Sequence, residues 1–277
     1  MSLSLTHDFN ALLDGRVHLD EPLAAIRERY ENAKPFRHVV LDDIFSTTLL
    51  DDLIAEMASM SKDRWMVVQQ AGLEKILRMR SGTELGPAGS RLAALLHSPA
   101  FLYLLSEITG VWQLLPDPYL QGAGYASMRP GDFFNIHSDR SVAYDTGLTR
   151  RMAMIIFLNK AWKAEYNGQL ELWDAEGKQR EVSIDPVYNR TIIFEVAFPN
   201  YHGVPAPLAC PPDRQRQSFI TYFHTVGIDG KTTVKPHSSI FAPQFYRTKS
   251  TGLRGFVRAV TPPILVAAAR RLIKTRG

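Results

Sequence analysis

The run Met152 to Leu158 (Met-Ala-Met-Ile-Ile-Phe-Leu) constrains this chain more than any other stretch. It is a short, uninterrupted apolar segment and reads as a strand buried on both faces. Gly168 to Trp173 and Arg190 to Glu195 read as two further strands. Arg216-Gln217-Ser218 then opens Phe219 to His224, where polar and apolar residues partly alternate. Upstream, Tyr125 to Met128 and Phe133 to Asp139 flank Arg129-Pro130-Gly131-Asp132, a turn in which proline presets one torsion and glycine admits a positive one. This succession of short strands predicts a mainly β core.

The same strands carry residues of one chemical kind. His137, Ser138 and Asp139 place an imidazole and a carboxylate two residues apart, hence on one face of an extended segment. His202 lies in Asn200-Tyr201-His202-Gly203-Val204, at the end of another strand-like run. Two histidines and one carboxylate make a facial triad that leaves coordination positions open and is diagnostic of non-haem Fe(II) oxygenases. A His-x-Asp triplet alone is weak evidence in a chain with eight histidines; the strand context strengthens it. His224 and His237 are the competing ligands, and neither is followed by a glycine-valine pair.

The order His-x-Asp, Leu-Asn-x-x-Trp, Gly-x-Leu-x-Leu, Pro-x-x-Asn-Arg, His-Gly-Val and Arg-x-Ser, between residues 120 and 225, resembles the prolyl 4-hydroxylase branch of the Fe(II)/2-oxoglutarate-dependent dioxygenases. The opening Pro35 to Asp42 is similar to the N-terminal segment of bacterial and fungal members. The resemblance implies a double-stranded β-helix, a jelly-roll of two facing antiparallel sheets in a mainly β, α+β chain. It implies Fe(II) held by His137, Asp139 and His202, with 2-oxoglutarate and O2 as cosubstrates and ascorbate as an optional accessory reductant. The implied activity is hydroxylation of an unactivated C–H coupled to decarboxylation of 2-oxoglutarate to succinate and CO2. Asp139 favours hydroxylation, because halogenating relatives lack this carboxylate.

In the family an arginine that binds the distal carboxylate of 2-oxoglutarate follows the second histidine by ten to fifteen residues. Arg216 fits, with Ser218 on the same strand face and Arg214 as its competitor. Arginine suits the task because its planar fork donates two parallel hydrogen bonds and stays charged when buried. Hypoxia-sensing relatives use a tyrosine just before the Leu-Asn pair, and Phe157 stands there. The missing hydroxyl leaves Ser218, Thr221 or Tyr125 to assist Arg216. Asn159, Trp162, Asn189 and Arg190 read as structural residues. The polar stretch Arg140 to Arg151 is either a substrate-covering loop or a plain surface loop.

Residues 1–115 read as a mainly helical buttress, 116–226 as the catalytic core and 227–277 as a basic extension. Helical signals are Pro22-Leu23 with Ile26 and Tyr30, Leu49 to Met57 with Thr48 and Asp51 as a capping pair, and Arg91 to Ile108. A single cysteine, Cys210, excludes an internal disulfide and a cysteine-rich metal cluster. The count permits a reducing, cytoplasmic setting, and Met1 to Asp14 lacks the pattern of a secretory signal.

From Gly227 onward there are ten Lys or Arg and one acid, whereas the whole 277-residue chain carries a net charge of only +4. Pro263 to Lys274 reads as an amphipathic helix, either a cap or a peripheral anchor on the anionic inner face of a membrane. Nucleic acid is disfavoured because no recognition motif accompanies the charge. The expected substrate is a prolyl residue in a peptide or protein. The alternatives are a saccharide or lipid-linked glycan, a small metabolite, or no substrate at all in a silent binding module.

Overall fold

Among the described residues of the computed structural model (13, 15–70, 72–79, 84–117, 119–227 and 236–247), four α-helices and twelve strands form. The helices are α1 (Leu23–Asn32), α2 (Thr47–Ser59), α3 (Pro87–Leu96) and α4 (Pro99–Thr109). The strands are β1 (His38–Asp42), β2 (Trp65–Gln70), β3 (Glu74–Met79), β4 (Gly124–Met128), β5 (Phe133–Ser138), β6 (Thr149–Phe157), β7 (Leu170–Trp173), β8 (Arg180–Ile184), β9 (Arg190–Glu195), β10 (His202–Val204), β11 (Arg216–Thr225) and β12 (Ile240–Phe241).

Every residue of β6 except Arg151 is buried, and successive side chains go to different cores. Met152, Met154 and Ile156 join the cluster shared with Leu50, Leu53, Leu92, Phe101 and Leu105 of the helices. Ala153, Ile155 and Phe157 join the interior cluster with Leu170, Leu172, Ile192 and Phe194. A strand covered on both faces has no solvent side, which is why its sequence is continuously apolar. Each fully buried Leu, Ile or Phe contributes about 1.5–3 kcal/mol, and the pleat places them without violating backbone pairing.

The strands run antiparallel in the order β1-β9-β6-β11-β4-β3-β5-β10-β7-β8, with β2 on β3 and β12 on β5. The sheet curls where β3 pairs β4 through Leu77 and Arg78 and β5 through Glu74 and Lys75. The two halves enclose one interior in the jelly-roll, double-stranded β-helix arrangement, with the helices outside the β9-β6-β11 half.

The N-terminal third differs from the helical expectation, since it also contributes β1, β2 and β3 to the sheet. β2 shows no in-out pattern, because it has no fully buried residue, its Met66 and Val67 are exposed, and pairing along its whole length with β3 holds it. β3 separates β4 from β5, so the Arg129–Asp132 turn joins strands that are not neighbours. Its geometry is nonetheless as expected: Gly131 has φ 79°, and Asp132 accepts a hydrogen bond from the Arg129 amide at 2.8 Å. The stretch 91–108 breaks at Ser98, whose hydroxyl caps α4 by accepting from the Phe101 amide. Thr48 and Asp51 form no capping pair: α2 starts at Thr47, and Asp51 instead accepts from the Tyr188 hydroxyl at 2.6 Å and pairs with Lys160.

The core unit spans Met1–Ala242, because β12 pairs with β5, and this moves the boundary expected after residue 226. The second unit, Pro243–Gly277, is described only in its 3-10 turn Pro243–Arg247, and the expected helix Pro263 to Lys274 lies outside the described residues.

Asn189 ties the N-terminal segment to the sheet: its side chain accepts from the Phe45 amide at 3.2 Å and donates to the Phe45 carbonyl at 2.8 Å. Asn189→Ala leaves both backbone groups buried without partners. It is expected to cost about 2 kcal/mol, read as a lower urea midpoint at unchanged slope.

Candidate metal centre

Strand pairing assembles the site. His202 of β10 stands directly opposite His137 of β5, and Asp139 follows the end of β5. One ligand atom from each of the three lies within 4.8 Å of the others, and all three residues are buried. Asp139 Oδ1 is 3.6 Å from His137 Nε2, and Oδ2 is 3.6 Å from His202 Nε2. Each imidazole has Nδ1 against a backbone carbonyl two residues earlier, Asn135 at 2.9 Å and Asn200 at 3.3 Å. A proton on Nδ1 satisfies those carbonyls and leaves both Nε2 lone pairs directed at the space beside Asp139, the arrangement a metal-binding histidine needs. Gly203 allows the strands to approach this closely, since a Cβ there would lie 2.7 Å from the Phe134 carbonyl oxygen.

Electrostatics favours the same state. Burial pushes the His202 imidazole down to about 4, against the opposing pull of Asp139, so it is neutral near pH 7. Burial alone would raise the Asp139 carboxyl, but His202 and His137 outweigh it and hold the group below the usual carboxylate range. The neutral His202 nitrogen and the carboxylate of Asp139, with His137 Nε2 directed at the same space, make the donor set expected for Fe(II) in an open facial site.

Arg216 is the second unusual group. It opens β11, is 5% exposed, and burial pushes its guanidinium down to about 10. Nε donates to the Gly168 carbonyl at 2.7 Å, Nη1 approaches Met128 Sδ at 3.9 Å, and Cζ lies 5.0 Å from the centre of the Phe157 ring. Gly168, at φ +89°, makes this cradle: a Cβ there would sit 3.1 Å from Arg216 Cδ. No carboxylate of a described residue pairs with Arg216. Phe157, just before the Leu158-Asn159 pair, packs against the cation and adds no hydroxyl.

One cavity contains His137, Asp139, His202, Arg216 and Ser218. Arg214 is not on it and donates to the Lys160 carbonyl at 3.1 Å. Tyr125 and Thr221, offered as helpers of Arg216, are also elsewhere. On β11 the cavity face is Arg216, Ser218, Ile220 and Tyr222, and on β4 it is Ala126 and Met128. Thr221 and Tyr125 have the opposite parity and face the helices: Tyr125 donates to Glu56 at 2.8 Å, and Thr221 Oγ1 lies 3.5 Å from His97 Nε2. The same parity rule applied from Arg216 would have found Tyr222. Arg78 was missed because β3 was read as part of a helical region.

The residues marked as structural behave so. Asn159 donates to the Pro186 carbonyl and accepts from the Gln217 amide, Trp162 donates to the Asn167 carbonyl, and Arg190 forms a two-point pair with Asp42. Residues 140–151 are not one open loop, because Val142 bridges Thr149 and β6 already includes Arg150 and Arg151.

A curled antiparallel sheet with two histidines and one aspartate inside defines a non-haem iron oxygenase type of site. Comparisons with known proteins agree. Residues 121–224 match the model of the 2OG-Fe(II) oxygenase superfamily. The chain is 28% identical over 213 residues to prolyl 3,4-dihydroxylase OGFOD1 of Ostreococcus tauri, covering 70% of this chain but only 39% of that relative's length. Among solved structures it is similar to a Pseudomonas putida prolyl-4-hydroxylase (TM-score 0.51, 18% identity, 73% of this chain and 98% of that one). It is also similar to a Trichoplax adhaerens prolyl hydroxylase in complex with a hypoxia inducible factor oxygen degradation domain peptide fragment (TM-score 0.52, 17% identity, 79% and 94%). At these identities the two structures show the fold.

The depressed His202 predicts the acid response of the metal-free protein. Its usual value is 6.5 and its folded value about 4, so in that window the unfolded chain binds more protons. Stability from this group is present above 6.5 and falls as pH drops towards 4. Urea unfolding at pH 7 and pH 5 should show about 2 kcal/mol of acid loss from this group, and His202→Asn should remove that part of the slope.

Proposed function

We propose that this protein is an Fe(II)- and 2-oxoglutarate-dependent hydroxylase acting on a prolyl residue of a peptide or protein. The observation that carries the reading is a buried arginine without a described carboxylate partner, in the same cavity as a buried His-Asp-His set. His137, Asp139 and His202 hold Fe(II), and Arg216, with Ser218 beside it, binds the distal carboxylate of 2-oxoglutarate. When bound, iron and 2-oxoglutarate activate dioxygen, placing one oxygen atom in succinate and the other in a substrate C–H. The protein's own part is to orient and to exclude water. The paired carbonyls fix the imidazoles, the Phe157 and Met128 walls keep Arg216 dry, and low local polarity strengthens its hold on a carboxylate. The prolyl assignment draws support from the relatives, whose names are those of prolyl hydroxylases.

A second proposal concerns place. Ten basic residues against one acid after Gly227 favour peripheral attachment to an anionic membrane face, where a glycan substrate would be met. Co-sedimentation of the full chain with anionic and neutral vesicles, against a version ending at Ala242 that keeps β12 on β5, tests attachment. Equal behaviour of the two versions removes it.

Succinate formation from 2-oxoglutarate without a prime substrate is the first measurement. It should require Fe(II), and anaerobic loading should give one iron per chain, lost in His137→Ala combined with Asp139→Ala. Arg216→Ala leaves a carboxylate buried without its cation, a cost of roughly 3 kcal/mol, so the 2-oxoglutarate requirement should rise by about 100-fold. An unchanged requirement moves the anchor elsewhere, and iron-independent or absent succinate formation in a metal-loaded protein sinks the catalytic reading in favour of a silent binding module.

A further inference from the structure

We propose that this protein forms a twofold-symmetric dimer in solution, in which the free edge of β2 pairs antiparallel with β2 of a second copy, centred on Val67. The pairing is independent of the iron chemistry above.

β2 is a terminal strand: every residue from Trp65 to Gln70 pairs with β3, and no described residue pairs with its other edge. Along that edge the backbone N–H and C=O groups of alternate residues point outward, a template that an extended chain completes. Natural sheets block such edges with charge, proline, a bulge or a covering loop. The two ends of the main strand order follow that rule: β8 carries the exposed Arg180 and Glu181, and β1 carries His38 and Asp42, the latter paired with Arg190. β2 has none of these devices. Its sequence Trp-Met-Val-Val-Gln-Gln contains no charge, proline or glycine, its register with β3 runs without a bulge, and Met66 and Val67 are 41% and 57% exposed. Among the described residues they are the only large apolar side chains of a strand left exposed.

The edge takes an extended strand, and β2 of a second copy fits it. A twofold axis normal to the sheet keeps each face on its own side, so residues that meet across the seam share one parity. Centred on Val67, the most exposed apolar residue of the strand, the register sets Val67 opposite Val67 of the second copy, Met66 opposite Val68 and Trp65 opposite Gln69. Apolar residues meet at the centre and no like charges face each other, so nothing opposes self-pairing. The ends are complementary in charge. Arg64, just before β2, comes opposite Gln70 of the second copy, and Gln70 is paired in turn with Glu74. Neither Arg64 nor Glu74 has an ion-pair partner among the described residues, and the axis brings them into one row at both ends of the seam. A prolyl segment is the poorer occupant, since proline has no N–H to donate to a ladder. β3, directly behind β2, contributes Ile76 and Arg78 to the iron cavity, so the seam lies one strand from the site. A seam of six-residue strands is smaller than most permanent interfaces, and the expected Kd is on the order of 10–100 µM.

Sedimentation velocity of the full chain between about 5 µM and about 500 µM should show a reversible monomer–dimer equilibrium. Val67→Lys and Val67→Glu each set like charges against each other at the centre of the seam, and each alone should weaken the dimer roughly ten-fold or more. An equimolar mixture of the two should recover it as a heterodimer, which misfolding of either variant would not give. Cysteine cross-linking reads the register. Cys210 is the sole cysteine and is buried, so Val67→Cys with oxidised glutathione should give a disulfide-linked dimer above a clean background. Gln69→Cys, which faces Trp65 in this register rather than its own mate, should not. A monomer across the whole range, a dimer that Val67→Lys leaves intact, or a mixture no tighter than the single variants overturns the pairing. A monomer whose β2 amides exchange more slowly when a proline-containing peptide is added likewise overturns it and gives the edge to substrate.

Discussion

The register between β5 and β10 is the constraint on which the site depends. With His202 opposite His137, two imidazoles from segments more than sixty residues apart project from one strip of pleat, their ring centres 4.6 Å apart. A slip of one residue would turn His202 to the other face and remove it from the site, because side chains alternate along a strand. β10 is only three residues long, so its own pairing does little to fix that register. The neighbours do it: β7 pairs with the other edge of β10, β12 places Phe241 against His137, and Phe134 and Phe194 pack on the two imidazole rings. The same apolar walls keep His202 neutral, so packing and metal-ligand chemistry have one cause.

The wall opposite these ligands is built from strands with two different faces. β6 and β11 send alternate residues to the helices and to the cavity, and both faces are buried. Phe219 and Phe223 of β11 belong to the core shared with α4, whereas Arg216, Ser218 and Tyr222 line the cavity. Polar groups on the inner face are therefore carried by strands whose other face anchors them rigidly, and positions needed for binding do not have to supply the folding free energy themselves.

Such strands were legible where burial on both faces made the sequence continuously apolar, as in Met152 to Leu158, and where a motif stood at a strand end, as with His137, Asp139 and His202. The metal-ligand candidates could be read because each comes with local geometry: a two-residue spacing on one strand, and a His-Gly pair whose glycine permits close backbone approach. The N-terminal strands were not legible. β2 and β3 owe their conformation to each other and to β4 and β5, and β2 leaves apolar residues such as Met66 and Val67 exposed, so no alternation marks it as a strand before that pairing exists. Tyr125 and Thr221 were misjudged for a different reason. Chemical type was allowed to outrank parity, although the period of two that joined Arg216 to Ser218 already excluded Thr221 from their face.

The distribution of charge along the cavity follows from how costly each group is to bury. Arg216 sits among Met128, Phe157 and the Gly168 carbonyl, where a cation is tolerable only if a carboxylate joins it, so that end is suited to a cosubstrate that enters on every turnover. The Tyr222 end is built otherwise. Arg150 rests on the Tyr222 ring, and Arg78 and Arg150 donate to backbone carbonyls, so these cations are partly satisfied within the protein itself. Groups solvated in that way discriminate among ligands without depending on one for stability. The two ends of the β11 face therefore differ in how far the protein satisfies its own cations: Arg216 lacks an anionic partner among the described residues and is walled by Phe157 and Met128, whereas Arg78 and Arg150 already have carbonyl or ring partners.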